Sequence, residues 1–184
     1  FPRHNARTQG FTLGAPRNLT VTPAGDAVLF LRSASGTDRS TGLWKVDTDT
    51  GEEHLLADPA ALRAPAQVTA EEQARRERAR ERATGITGYA IDGTGNHAVF
   101  GLSGRLFVTE LATANTRELP AAPSVSDPRL DPTGQVIAYL SERALRLINI
   151  DGSEDRALVE PESSSVMWGA AEFIAAEEMN RHRG

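Results

Sequence analysis

The chain has 184 residues, 39% of them hydrophobic, with 16 glycines and a formal net charge of −5, the composition of a folded globular protein and not of a disordered one. The acidic balance argues against a general attraction for nucleic acid or anionic lipid, so neither a nucleic-acid nor a membrane partner is expected. Cysteine is absent, which excludes disulfides, zinc–thiolate sites and thiol nucleophiles, and fits a reducing, cytoplasmic location.

The start, Phe1-Pro2-Arg3-His4, is neither an initiator Met nor a signal peptide, so the chain is expected to begin part-way into a longer protein. Three segments then repeat one pattern. They are Thr22-Pro23-Ala24-Gly25-Asp26-Ala27-Val28-Leu29-Phe30, Asp92-Gly93-Thr94-Gly95-Asn96-His97-Ala98-Val99-Phe100 and Asp131-Pro132-Thr133-Gly134-Gln135-Val136-Ile137-Ala138-Tyr139. Each places an aromatic five positions after its glycine. Turn residues followed by a β-branched, aromatic run predict a strand entered through a tight turn. Second strands are predicted at Leu43–Asp47, Leu106–Leu111 and Leu145–Ile150, followed by turn-rich stretches that include Asp49–Glu52, Ala114–Arg117 and Asp151–Glu154. A further strand before each turn, as at Ile86–Ile91, brings the unit to about four strands.

Gly95 and Gly134 are 39 residues apart, the period of a β-propeller blade. Gly25 and Gly95 are 70 apart, so the first interval holds an insertion at 66–85. Within it Thr69-Ala70-Glu71-Glu72 is a capping box and Glu71/Arg75 and Glu72/Arg76 are i,i+4 pairs, which predicts a charged helix near 69–84 stopped by Gly85. Four glutamates interleave with five arginines there, the pattern of a solvated helix and not of a basic nucleic-acid reader. The expected fold class is all-β: part of a β-propeller with blade-like units at about 16–61, 86–120 and 126–160 and the start of another. Three blades do not close a propeller, which needs about 4–8.

Motifs that suggest chemistry are few. Gly93-Thr94-Gly95-Asn96-His97-Ala98 fits a dinucleotide fingerprint in letters, but a strand follows it where the cofactor needs a helix. Asp47–Glu52 lacks the bidentate Glu of a calcium loop and is a hairpin turn. His4, His54, His97 and His182 have no metal-ligand spacing, and no G-x-S-x-G elbow occurs, so neither a catalytic residue nor a metal or cofactor is expected in this chain. The segment at 168–180, Trp168-Gly169-Ala170-Ala171-Glu172-Phe173-Ile174-Ala175-Ala176-Glu177-Glu178-Met179, breaks the repeat with helix formers and predicts a short helix near 170–179. On such a helix Glu177 and Glu178 lie one turn after Phe173 and Ile174, which would turn both carboxylates inward. Facing a cavity they would repel each other unless a cation sits between them: a metal, an arginine or a substrate ammonium. A solvated glutamate pair is the alternative.

Taken together, the Asp-Pro-Thr-Gly turns and the double-glutamate segment resemble the N-terminal propeller of dipeptidyl peptidase IV-like serine peptidases of the prolyl oligopeptidase family, from about Arg17 to the end. The resemblance is nearest to bacterial members with an Arg/Glu-rich insert. It implies that Glu177 and Glu178 clamp the free α-amino group of a peptide, which restricts proteolysis to release of N-terminal dipeptides. It also implies a propeller arginine holding the substrate backbone, for which Arg117 stands in roughly the right region. The family's Ser, Asp and His belong to a C-terminal α/β-hydrolase domain that these 184 residues lack, so the chain alone is expected to be an inactive, substrate-selecting portion. The implied partners are peptides with a free N-terminus, the hydrolase domain of the full-length chain, and a second copy in a homodimer. A non-enzymatic propeller that binds or scaffolds other proteins is the competing expectation.

Overall fold

The computed structural model describes residues 1–62, 73, 77, 84–163, 165–171, 174–175 and 178–179. A helix that the sequence pattern does not announce comes first: α1 (Pro2–Arg7), with Pro2 at its opening position where a missing N–H costs nothing. Thr8 closes it, donating its hydroxyl to the His4 carbonyl and accepting the Phe11 N–H.

Three antiparallel four-stranded sheets come next, each in simple up-and-down order. The first comprises β1 (Arg17–Val21), β2 (Ala27–Ser33), β3 (Ser40–Asp47) and β4 (Glu53–Ala57), with a two-residue strand β5 (Thr84–Gly85) added in parallel to β3. The second comprises β6 (Ala90–Ile91), β7 (His97–Leu102), β8 (Arg105–Glu110) and β9 (Thr116–Leu119). The third comprises β10 (Ser126–Leu130), β11 (Val136–Ser141), β12 (Ala144–Asn149) and β13 (Arg156–Val159). β1 and β10 carry an irregularity at the same place, between Arg17 and Thr20 and between Ser126 and Arg129, where Asn18 and Asp127 take positive φ. Pro128 is accommodated in β10 because that strand is at the sheet edge.

The cores lie between sheets. Leu29, Leu31, Leu43 and Leu56 of the first sheet pack against Ile86, Ala98, Phe100 and Phe107 on one side of the second. Val99, Leu106, Val108 and Leu119 on its other side pack against Val125, Ile137, Tyr139 and Ile148 of the third. A strand buried on both faces has no polar side to alternate with, so β7 is apolar from Ala98 to Leu102. Phe30, Phe100 and Tyr139 are each the fourth residue of their strand, and each is buried. The first strand of each sheet is an edge strand, and β10 packs on β6 and β7 of the neighbouring sheet.

The repeated turn works through its first residue. Asp131 accepts the Thr133 hydroxyl and the Val136, Thr133 and Gln135 N–H groups, which together hold its carboxyl well below the usual range. Asp92 does the same for Thr94, Asn96 and His97. In the first sheet the Thr22 hydroxyl takes the place of the carboxylate, accepting the Ala27 N–H at 3.0 Å.

These turns also pack on one another. Gly134, at φ +72, is so close to the second sheet that a Cβ would stand 2.5 Å from Asp92 Oδ2. Gly25 has the same backbone, φ +75, with nothing within 4 Å. Gly25→Ala therefore bears only the left-handed strain, about 1–2 kcal/mol, whereas Gly134→Ala adds a displaced carboxylate. Urea unfolding of the two variants is expected to show Gly134→Ala the more destabilised by at least about 1 kcal/mol; equal losses would mean that the turn-to-turn contact contributes nothing.

The insert is only partly as expected. Gln73 and Glu77 are helical, and the Gln73 amide donates to Glu77 Oε1 at 3.1 Å; the rest of the helix expected near 69–84 lies outside the described residues as far as 83. Its far end differs: Thr84 and Gly85 are strand, because the Thr84 N–H reaches the Arg39 carbonyl and the Ile86 N–H the Thr41 carbonyl. The strand expected over Ile86–Ile91 is confined to Ala90–Ile91, since Ile86 is engaged in that linker contact.

Candidate functional site

After β13 the chain turns back over the third sheet. The Trp168 N–H donates to the Arg143 carbonyl at 3.0 Å. Arg143 is the second corner of the tight β11–β12 turn, in which Glu142 and Arg143 both have positive φ, 47° and 76°. Beside it Gly169, at φ +71, lies against Leu140, where a Cβ would approach Leu140 Cδ2 to 2.6 Å.

Ile174 and Ala175 are helical, and the Glu178 N–H donates to the Ile174 carbonyl at 2.9 Å, one helical turn. Glu178 therefore follows Ile174 by a turn, as the spacing predicts. Both are exposed, Ile174 at 58%, so the side they share opens to solvent in this chain and is not turned into packed core. The helix expected near 170–179 is shorter than that: Ala170 and Ala171 precede it without helical structure, still leaving the bend around Gly169, and Glu178 and Met179 are a turn and a bend after it, while Glu172, Phe173, Ala176 and Glu177 lie outside the described residues.

Arg117 stands elsewhere in the fold. It belongs to β9, not to the turn that the sequence pattern predicts there, and its guanidinium donates to the Ile150 carbonyl at the end of β12. That contact joins the second sheet to the third, and Lys45 makes an analogous one from the first sheet to the Leu111 carbonyl of the second, at 3.0 Å. Its charge also helps to lower Asp151, whose carboxyl is held down chiefly by the Ser153 hydroxyl and N–H. Arg117 thus has a structural employment between blades.

The polar cluster of the third sheet lies beside the chain that enters it. The Tyr139 hydroxyl donates to Asp155 at 2.6 Å while accepting from Arg146 and from the Ala122 N–H. Burial, with Asp155 as neighbour, pushes the phenol up to about 12. With its charges paired, this group fixes the 120–125 linker through the Ala122 N–H. Among the described residues no group of three or more His, Asp or Glu is placed to hold a metal, and His97 is taken up by Asp92 at 3.0 Å.

What sequence reasoning missed is the support of the glutamate segment, Leu140, Arg143 and Gly169. The letters offer little to find it by: a glycine directly after Trp168, and at Glu142-Arg143 a tight turn without the usual Asn-Gly.

Three four-stranded antiparallel sheets, joined in sequence and packed face to face, make this a partial β-propeller with a carboxylate-bearing segment after its third blade. Residues 96–184, just under half of the chain, match the family described as dipeptidyl peptidase IV (DPP IV) N-terminal region, so this part of the chain is similar to the propeller of that family. Solved structures agree on the fold. Porphyromonas gingivalis dipeptidyl peptidase 4 is similar over 97% of this chain and 25% of its own length, with 14% identity and a TM-score of 0.61. A prolyl endopeptidase is similar over 88% of this chain and 25% of its own, with 12% identity and a TM-score of 0.58. TolB from Acinetobacter baumannii is similar over 80% of this chain and 33% of its own, with 12% identity and a TM-score of 0.51. The chain thus spans a third or less of the length of these proteins.

Proposed function

We propose that the chain is the substrate-selecting propeller portion of a serine peptidase that releases dipeptides from the free N-terminus of peptides, with Glu177 and Glu178 receiving the substrate's α-ammonium. The observation that carries this reading is the double glutamate itself. It interrupts the blade pattern inside the residues that match the dipeptidyl peptidase IV family, and its described member, Glu178, is exposed and able to meet a ligand.

The chemistry is matched. An ammonium has three donors and a carboxylate pair offers four acceptor sites, so one cation can satisfy both groups while offsetting their mutual repulsion. A charge-assisted contact of this kind is short and about twice as strong as a neutral one. Arg117 is a weaker candidate for the substrate backbone, since binding peptide would require it to leave the Ile150 carbonyl. The nucleophile and its base would come from the hydrolase domain of the full-length protein.

The test compares the two lengths of protein on a chromogenic dipeptide substrate. The full-length protein is expected to turn it over and to be silenced by a serine-directed reagent, and the 184-residue chain to show no turnover. A full-length protein without dipeptide release, or turnover by the repurified chain that the reagent abolishes, would contradict the assignment.

A further inference from the structure

We infer that the β11–β12 hairpin fixes the start of the segment that leads to Glu178, at Trp168 and Gly169, and that Gly169 is a positioning residue for the proposed ammonium site; the inference rests on the function proposed above. Three times the chain leaves a blade for its next segment by the same contact. The Ile86 N–H donates to the Thr41 carbonyl at 2.9 Å, the Val125 N–H to Gly104 at 3.0 Å and the Trp168 N–H to Arg143 at 3.0 Å. Each acceptor stands at or just before the start of a third strand, β3, β8 or β12.

After the first two contacts the chain runs on as the first strand of a blade, β6 or β10. Nine residues after Ile86 and Val125 stand the turn glycines Gly95 and Gly134. Nine residues after Trp168 the sequence has Glu177, and Ile174 and Ala175 before it are helical. The glutamate segment thus begins where a first strand would begin, and the first strand of the third sheet is one that packs on the neighbouring blade. The side chains follow the same logic: Ile86 and Val125 are buried between blades, whereas Trp168 keeps 38% of its surface.

Two features hold this starting point. The Arg143 carbonyl is aimed by a turn with two consecutive positive φ angles, which brings the hairpin into the tight form that matches strand twist. Gly169 has a left-handed backbone and no room for a Cβ beside Leu140. Any larger residue at 169 must move the segment, shift Leu140, or leave the left-handed region. Displacement of a charged contact by a fraction of an ångström weakens binding without touching the reacting atoms, so the effect belongs in KM.

The experiment uses the full-length protein and two substrates, a free-amine dipeptide and its des-amino analogue. Gly169→Ala is expected to lower the preference for the free amine about tenfold, through KM, with kcat within about threefold. Leu140→Ala/Gly169→Ala, which opens the space, should recover most of that preference. Leu140→Phe, which presses on the same contact while keeping the glycine, should reproduce the loss; it also decides the matter if Gly169→Ala fails to fold, as thermal melting would reveal. Unchanged preference in Gly169→Ala and Leu140→Phe, or a loss that the double variant does not recover, would overturn the inference. If the same preference nevertheless falls in Glu178→Gln, the proposed function survives that failure. A wild-type protein with no preference for the free amine would overturn both.

Discussion

Asp92→Ala is expected to destabilise the chain by about 3 kcal/mol, a fall of about 6–12 °C in Tm for a protein of this size. The carboxylate is buried, with 2% of its residue surface exposed. Oδ1 accepts the Thr94 and Asn96 N–H groups and the Thr94 hydroxyl, and Oδ2 accepts the His97 N–H and stands 3.0 Å from the His97 ring. Alanine strands these donors, and leaving a buried donor unpaired costs about 1–3 kcal/mol, reduced where water can enter the turn. Asn keeps one acceptor and should fall between. Asp131 occupies the equivalent place in a more open turn, so Asp131→Ala should cost less.

The effect has a defined pH dependence. Burial pushes the Asp92 carboxyl up, but the His97 ring, the Asn96 N–H and the Thr94 hydroxyl outweigh it and hold the group below the ordinary value of 3.8. A depressed folded value means that the stabilisation is complete above the unfolded value and is lost as pH falls through the folded one. Urea unfolding should therefore show a constant gap between wild type and Asp92→Ala from about pH 7 to 5 that narrows below about pH 4. A gap that widens in acid would contradict this picture of the turn.

Glu177→Ala and Glu178→Ala should each lower kcat/KM for free-amine substrates of the full-length protein by about 10–150-fold, the loss of a charge-assisted contact worth about 1.5–3 kcal/mol. Glu→Gln keeps the shape and the hydrogen bonding and loses the charge, so it should be impaired as well. Glu71→Ala and Glu81→Ala, in the Arg/Glu-rich insert, should change little. Steady-state kinetics on the four alanine variants checks the contrast.

The blades were legible because their signal is local. An Asp or Thr that accepts N–H groups up to five residues on, a glycine at positive φ and an aromatic on the fourth strand position are all written within nine residues. What failed were features settled far away in sequence. β5 exists because Thr84 and Gly85 find β3 more than forty residues earlier, which no helix-stop rule could show. The contact of Arg117 with the Ile150 carbonyl, 33 residues on, was likewise invisible in the sequence. Of the proposed site, the glutamate pair was suggested by family resemblance, and helical spacing gave the one turn between Ile174 and Glu178. Their support was not legible, because the Arg143 carbonyl is a backbone group that every residue carries, and its direction comes from a turn without the usual Asn-Gly.

The most direct measurement of ammonium recognition is the coupling between Glu178 and the substrate amine in the full-length protein. It compares kcat/KM for wild type and Glu178→Gln on a free-amine dipeptide substrate and on its des-amino analogue. The predicted result is a loss of at least about tenfold on the free amine and a change within about twofold on the analogue. An equal change on both substrates would contradict the account, because Glu178 would then act on something other than the amine.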